Sequence, residues 1–197
     1  MKQPLLEFDD IINELDLLFL NIPIDNRVAL SDLTLKKSKL DLNTLKQLES
    51  TLKTSLPETF KEVILKYDCG DLTLGGVTFG YQDNYAEYLI KRNIEGEGFL
   101  SWWGLDTRPS EYLSIADSDG FMILINTKTG QILAYERIGP YSEAQVVASN
   151  FKLFLQAAGT IYIKLRAGES KENLINIPNC IGSFASNNFW NEVIGVV

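Results

Sequence analysis

The sequence predicts an α+β fold, in which a mostly antiparallel β-sheet is packed by helices, with helical extensions at both ends of the chain. Two patterns carry this prediction. Residues 113–134 have the alternation and the turn residues of a three-stranded meander. Amphipathic segments of helical period lie on both sides of this stretch. The chain has 197 residues, 45% of them hydrophobic, so it can bury one core without disulfides or metals.

We expect a single domain with three parts: an N-terminal helical extension over residues 1–42, a core over 43–158 and a C-terminal extension over 159–197. In the first part, apolar residues recur every three or four positions from 4 to 20. This spacing predicts an amphipathic helix, which is ended by Pro23 and followed by a connector.

Two capping boxes open the core. In a capping box, a Ser or Thr side chain and a Glu or Gln three residues later satisfy each other's backbone donors. Thr44 and Ser55 each begin such a pattern, so we expect one helix over about 44–54 and a second from Ser55 to near Asp68. Next, Gly75-Gly76 lies between two alternating segments and predicts a two-residue hairpin. A short helix over 84–92 is compatible with the pattern that follows.

The meander is the clearest signal in the chain. Asp119-Gly120 is a favoured hairpin turn, and Gly130 suits the left-handed position that closes the next turn. Because residues 122–125 are apolar on both faces, we expect the middle strand to be central and covered on each side. The three predicted strands span residues 112–117, 121–126 and 131–137.

A long helical pattern follows the meander. It begins at Ser142 or Ser149, includes Val147, and continues through Leu165. A strand over 160–166 is the alternative, since Ile and Tyr favour β structure, but the helical period persists and we favour the helix. The last residues predict a short docking helix capped near Ser186.

The composition excludes most catalytic chemistry. The chain has no histidine and two cysteines, so Ser-His-Asp and Cys-His arrangements and nearly every catalytic zinc site are absent. Residues 117–120, Asp-Ser-Asp-Gly, begin like a calcium loop but lack its sixth-position glycine and distal glutamate, so we predict a turn. Neither a phosphate loop nor a dinucleotide fingerprint is present. We expect no cofactor and no bound metal.

The charge distribution indicates the class of partner. The formal net charge is −8, and residues 1–35 carry seven acidic against two basic groups. Such a chain is a poor candidate for binding nucleic acid, which needs clustered Lys and Arg, so we expect a basic protein partner. The N-terminus lacks a signal-peptide pattern and no apolar run is long enough to span a bilayer, so we expect no membrane association and a cytoplasmic location.

Residues 93–110 form the longest irregular segment, and they contain the pair Trp102-Trp103. Long loops in compact domains are often functional, and exposed aromatic rings are common anchors of protein interfaces. We expect one of the two tryptophans to be part of the core. A carboxylate pair for glycoside chemistry, formed by Glu95 and Glu97, is a weaker alternative. The candidate partner-binding residues are Trp102, Trp103, Glu95, Glu97, Asp106 and Glu111.

Four motifs follow one another from the first core helix to the last predicted long helix. They are Leu56-Pro57 with Phe60-Lys61, Ile115-Ala116 before Asp119-Gly120, Gly130-Gln131-Ile132, and Ser149-Asn150-Phe151 with Phe154-Leu155. Their order resembles the SUKH superfamily, which includes the yeast Smi/Knr glucan-synthesis regulators and many bacterial relatives. The resemblance covers about residues 44–158. Residues 68–70, Asp-Cys-Gly, depart from the family's Asn-Gly-Gly, and Phe121-Met122 replaces its Gly-Asp or Gly-Asn.

The resemblance implies an α+β binding scaffold without enzymatic activity. Bacterial members often act as immunity proteins that neutralise a cognate polymorphic or contact-dependent toxin, and yeast members act as scaffolds in cell-wall signalling. The leading hypothesis is therefore a cytoplasmic immunity protein whose partner is a basic toxin domain. The alternatives are a regulatory scaffold of the Smi/Knr type and a carbohydrate-binding protein that uses the tryptophan pair.

Overall fold

The computed structural model of the chain describes residues 5–20, 35–80, 84–95, 101–104, 107–183 and 187–195. It confirms the predicted α+β fold, with helices packed on an antiparallel sheet. The α-helices are α1 (Phe8–Leu20), α2 (Leu42–Leu52), α3 (Glu58–Lys66), α4 (Tyr85–Ile90), α5 (Phe151–Arg166), α6 (Lys171–Leu174) and α7 (Asn188–Ile194). The strands are β1 (Lys36–Lys37), β2 (Tyr67–Asp68), β3 (Thr73–Leu74), β4 (Val77–Thr78), β5 (Tyr112–Asp117), β6 (Phe121–Asn126), β7 (Ile132–Glu136) and β8 (Gln145–Ala148).

The main sheet has the order β3-β4-β5-β6-β7-β8, and all its neighbours are antiparallel. Each strand therefore pairs with the strands next to it in the chain, as the turn signals predict. The glycines of two predicted turns have positive φ values, +58° and +82° at Gly75 and Gly76 and +78° at Gly130, whereas Gly120 in the β5–β6 turn does not. Strands β1 and β2 form a separate two-stranded sheet.

Strand β6 is covered on both faces, which confirms its predicted central position. Ile123 and Ile125 belong to the large core cluster that includes the apolar faces of α3 and α5. Met122 and Leu124 belong to a second cluster on the opposite face, formed with Trp102 and other aromatic residues. The two-sided apolar pattern of this strand thus reflects two separate packing layers.

Strand β8 corrects the prediction that Val147 lies in a helix. Val147 is in an extended segment that pairs with β7, and the helix begins only at Phe151. The side chain of Asn150 sets that start, because its Oδ1 accepts a hydrogen bond from Leu153 N at 3.0 Å. The predicted helix over the following residues, including 160–166, is confirmed.

The starts of α2 and α3 also differ from the predicted capping boxes. Helix α2 begins at Leu42, because Asp41 is its cap and accepts a hydrogen bond from Thr44 N at 2.7 Å. Helix α3 begins after Pro57, which makes no side-chain capping bond. Neither Thr44 nor Ser55 is the capping residue.

Helix α1 packs against α5 inside the large core. Leu6 N donates to Thr160 Oγ1 at 2.9 Å, and Gln156 Nε2 donates back to Leu6 O at 3.2 Å. Ile11 lies over Gly159, where an added Cβ would stand 2.8 Å from Ile11 Cδ1. The N-terminal helix is thus integrated into the same core as the sheet. Its predicted end at Pro23 falls outside the described residues.

Helix α7 packs on α5 and reaches the outer edge of β8 through one indole. Trp190, which is fully buried, donates from Nε1 to Val147 O at 2.9 Å. The helix is capped by Asn187, whose Oδ1 accepts from Phe189 N at 3.0 Å, next to the predicted cap at Ser186, a residue outside those described. The prediction of a docking helix is confirmed. Among the described helices, none combines the length and the hydropathy that a bilayer span requires.

Candidate functional site

The structure brings together only part of the predicted partner-binding set. Trp102 and Trp103 pack edge to face, with ring centroids 5.4 Å apart and an interplanar angle of 88°. Glu95 is the last residue of a π-helical turn, Lys91–Glu95, and Glu111 is half-buried immediately before β5. Glu97 and Asp106 lie outside the described residues.

Trp102 is a core residue, which confirms the prediction that one of the pair is buried. It is 7% exposed and packs on Met122, Leu124 and Tyr135. Its carbonyl oxygen accepts a hydrogen bond from Tyr135 Oη at 2.9 Å. A side chain so enclosed offers little surface to a partner, so of the two rings only the half-buried Trp103 remains available for contact.

Asn93 organises this aromatic layer, and the sequence patterns did not reveal it. The residue is 1% exposed, and its Nδ2 donates to Leu89 O at 2.8 Å and Ser114 O at 2.9 Å. Its Oδ1 accepts from Ser114 N at 2.8 Å and from Trp102 Nε1 at 3.1 Å. One buried amide therefore joins the end of α4, strand β5 and the tryptophan loop. The π-helical turn, a feature often found at special positions, places it there.

A buried ion cluster lies beside the same layer. The Asp117 carboxylate, 3% exposed, is 3.1 Å from Nη2 of both Arg92 and Arg137. Arg137 Nε also donates to Ser118 O at 2.8 Å. Burial raises the pKa of the nearby Tyr135 phenol to about 12, although the two guanidiniums oppose that shift. Asp117 is therefore held by arginines, which supports the turn interpretation of residues 117–120.

A groove runs between the β5–β6 turn, the end of β7 and helix α7. Its volume is about 610 Å³. We call it the α7 groove. Ile138 lies at the rim of the groove and is 97% exposed. Phe121 also lines the groove but is only 9% exposed. A smaller cavity of about 150 Å³ adjoins it and shares Phe121, Glu136 and Asn188. The principal side chains of the groove are Asp119, Phe121, Glu136, Ile138, Asn191 and Glu192.

Glu192 fixes one wall of the groove to the sheet. Its Oε1 accepts hydrogen bonds from Ser118 Oγ at 2.6 Å and from Gly120 N at 3.4 Å. The approach is so close that a Cβ at Gly120 would stand 2.2 Å from Glu192 Oε2. A side chain at position 120 would therefore displace the Glu192 carboxylate from its bonds to the turn.

The groove is acidic and its carboxylates are largely uncompensated. Asp119 and Glu136 are exposed and form no ion pair with any described residue. Arg137, the one cation among the described lining residues, shares the Asp117 carboxylate with Arg92. The two guanidiniums therefore leave one positive charge against the three carboxylates of Asp119, Glu136 and Glu192. Sequence reasoning missed this site because its walls come from three distant segments. The isolated apolar residue in the turn after β7 was the available signal.

No group of three or more His, Cys, Asp or Glu side chains suited to a metal ion occurs in the part of the chain that the structure describes. Trp102 and Trp103 do not form a flat platform for a sugar ring, since they are perpendicular and the first is buried.

The comparisons with known proteins match this architecture. The family model described as SMI1 / KNR4 family (SUKH-1) matches residues 39–157, a span that runs from the residues before α2 into α5. Helices α1 and α7 lie outside it. No curated protein matches the chain significantly. Since the family model covers more than half of the sequence and the order of elements agrees, the chain belongs to the SMI1/KNR4 (SUKH-1) family.

Proposed function

We propose that this chain is a non-enzymatic protein-binding module, an immunity protein that neutralises a cognate bacterial toxin by covering a basic surface of the toxin domain. The observation that supports this best is the α7 groove, where unpaired carboxylates surround a fully exposed isoleucine. A large apolar side chain that is exposed to water beside unpaired charges gains nothing in the free protein, but it can be buried when a partner binds.

Electrostatics supports a basic partner. The chain carries a formal charge of −8, and the exposed carboxylates of Asp119 and Glu136 place part of it at the groove. Complementary charge accelerates association and rejects wrong partners. An inhibitor of a toxin that acts on nucleic acid would gain from this, because the toxin's substrate cleft must be basic.

The predicted partner-binding set remains part of the proposal in reduced form. Trp103 and Glu111 are the members whose side chains reach the surface of the described structure. Trp102 supports them from beneath through its ring contact. Glu95, Glu97 and Asp106 belong to the same acidic loop in the sequence.

The test is co-expression with the domain encoded by the reading frame adjacent to this gene, expected to be toxic when expressed alone, together with isothermal titration of the purified pair. We expect rescue of growth and a one-to-one complex whose affinity falls as salt is raised. A double variant, Trp103→Ala with Glu111→Lys, tests the loop directly. Failure to rescue growth, combined with capture of several housekeeping proteins, would instead favour a cell-wall or signalling scaffold.

A further inference from the structure

We propose that the α7 groove receives a surface loop of the protein partner that presents a lysine or arginine next to an apolar side chain. This inference rests on the proposed function, because it assigns a specific surface to the contact with the basic toxin domain. In this proposal the partner's lysine or arginine contacts Asp119 and Glu136, and the partner's apolar side chain contacts Ile138.

The charge of the groove selects a cation. Asp119 and Glu136 face solvent without an ion pair among the described residues. Arg137 offsets them only in part, because it shares the Asp117 carboxylate with Arg92 at 3.1 Å and because Glu192 adds a third carboxylate to the groove. A partner carboxylate would meet repulsion here, whereas a partner lysine or arginine would be attracted.

The apolar part of the groove selects the neighbour of that cation. Ile138 is 97% exposed, the highest exposure among the large hydrophobic residues described. Lys and Arg side chains bury their methylene stems along apolar surface while their charged ends stay near acidic groups. A loop that carries both a cation and an apolar side chain can therefore contact Ile138 and the acidic residues of the groove at the same time.

The walls of the groove are preformed. Arg137 N donates to Gly120 O at 2.9 Å, which joins the β5–β6 turn to the end of β7. Glu192 joins the same turn to α7 through Ser118 Oγ. Binding to such a site orders few groups, which lowers its entropic cost. Because α7 lies beyond the family match, one wall is supplied by a segment outside the shared domain.

The first experiment uses a defined probe on the full chain. The ¹⁵N-labelled protein is titrated with a blocked peptide that carries two lysines around one leucine, and with its twin that carries glutamates instead. We expect shifts of the Gly120, Ile138 and Asn191 amides with the lysine peptide alone. They should vanish in Glu136→Lys and persist in Glu14→Lys, which makes the same charge change on α1. Shifts centred on α1, equal loss in both variants, or no shift in the groove would overturn the proposal.

The second experiment separates this inference from the proposed function. Glu136→Lys and Ile138→Ser should each weaken binding of the neighbouring toxin domain at least about tenfold, while Glu14→Lys should change it less than about threefold. If the native chain binds the toxin and both groove variants bind equally well, the groove proposal is wrong and the immunity role stands. If the native chain does not bind the toxin but the lysine peptide occupies the groove, the immunity role is wrong and the preference of the groove for a cation stands.

Discussion

Replacement of Asn93 by aspartate tests the buried amide that joins α4, β5 and the tryptophan loop. The substitution keeps the shape of the side chain and the two bonds that Oδ1 accepts from Ser114 N and Trp102 Nε1. It removes the two donors that now serve Leu89 O and Ser114 O at 2.8 and 2.9 Å. Asn93→Asp thus changes hydrogen bonding and charge without changing volume.

The magnitude follows from the donors that remain. A neutral carboxyl keeps one O–H donor and leaves one of the two carbonyls without its partner, at about 1–3 kcal/mol, so we expect a loss of about 2 kcal/mol in the free energy of unfolding in that state. Burial against carbonyl oxygens would raise the pKa of that carboxyl in the folded state. The loss should therefore be smallest at acid pH and grow as pH rises above about 4, the value for the unfolded chain.

The assay is urea denaturation followed by tryptophan fluorescence at pH 4 and pH 7. Asn126→Asp is the matched control, because the Oδ1 of Asn126 accepts bonds from Lys128 N and Thr129 N at 2.9 and 3.0 Å, which a carboxylate also accepts. The control should stay within about 0.5 kcal/mol of the native protein. If Asn93→Asp loses no more stability than Asn126→Asp, the role assigned to this amide is wrong.

Three further predictions concern buried groups elsewhere. Gly159→Ala should lower the free energy of unfolding by about 1–3 kcal/mol, since its Cβ would stand 2.8 Å from Ile11 Cδ1, and this loss should vanish in an Ile11→Ala background in urea titrations. Burial raises the pKa of the Cys69 thiol well above its ordinary value, so a disulfide reagent at pH 8 should label the half-buried Cys180 alone until denaturant is added; two labelled thiols in the native protein would contradict this. The pKa of Tyr135 is raised to about 12, so the stability that this neutral phenol contributes is present below about pH 10 and is lost toward pH 12; Tyr135→Phe should flatten that part of a pH series of urea midpoints.

The hairpin β3–β4 and the meander β5–β7 could be predicted because short turns join their strands. Gly75-Gly76, Asp119-Gly120 and Gly130 lie at those three turns, and Gly75, Gly76 and Gly130 have the positive φ that few other residues adopt. Such local information is fully present in a single sequence. The apolar run of β6 also predicted two covered faces, although it could not identify Trp102 as the cover of the second face.

The capping residues and strand β8 were predicted wrongly for two different physical reasons. Asp41 caps α2 with one short side-chain bond, and the Thr44 pattern beside it resembles a capping box equally well. Val147 fits a helical period by coincidence, but its backbone is held in a strand because its neighbours Val146 and Ala148 pair with β7 and because Trp190 bonds its carbonyl oxygen. The first error concerns competition between adjacent caps, and the second concerns tertiary contacts that override local preference.

The candidate site was the least predictable part. Aromatic residues in an acidic loop indicated a surface, yet Trp102 is buried because the central strand needs a second apolar layer. The α7 groove depends on Ser118, Arg137 and Glu192 meeting across more than 70 positions of sequence. No local pattern specifies that meeting, so the groove emerges only once the helix is docked on the sheet.

The bond from Trp190 to the β8 carbonyl also determines where this protein can be divided. A sheet edge with free backbone groups recruits other chains. Here Trp190 Nε1 and Ser183 Oγ donate to carbonyls of β8, and Ile181 O accepts from the amide of Ser149 beside it. A fragment limited to residues 39–157 would retain the whole meander, lose this closure and end inside α5. Such a fragment would be prone to aggregate through β8, so the unit of homology is shorter than the unit that folds.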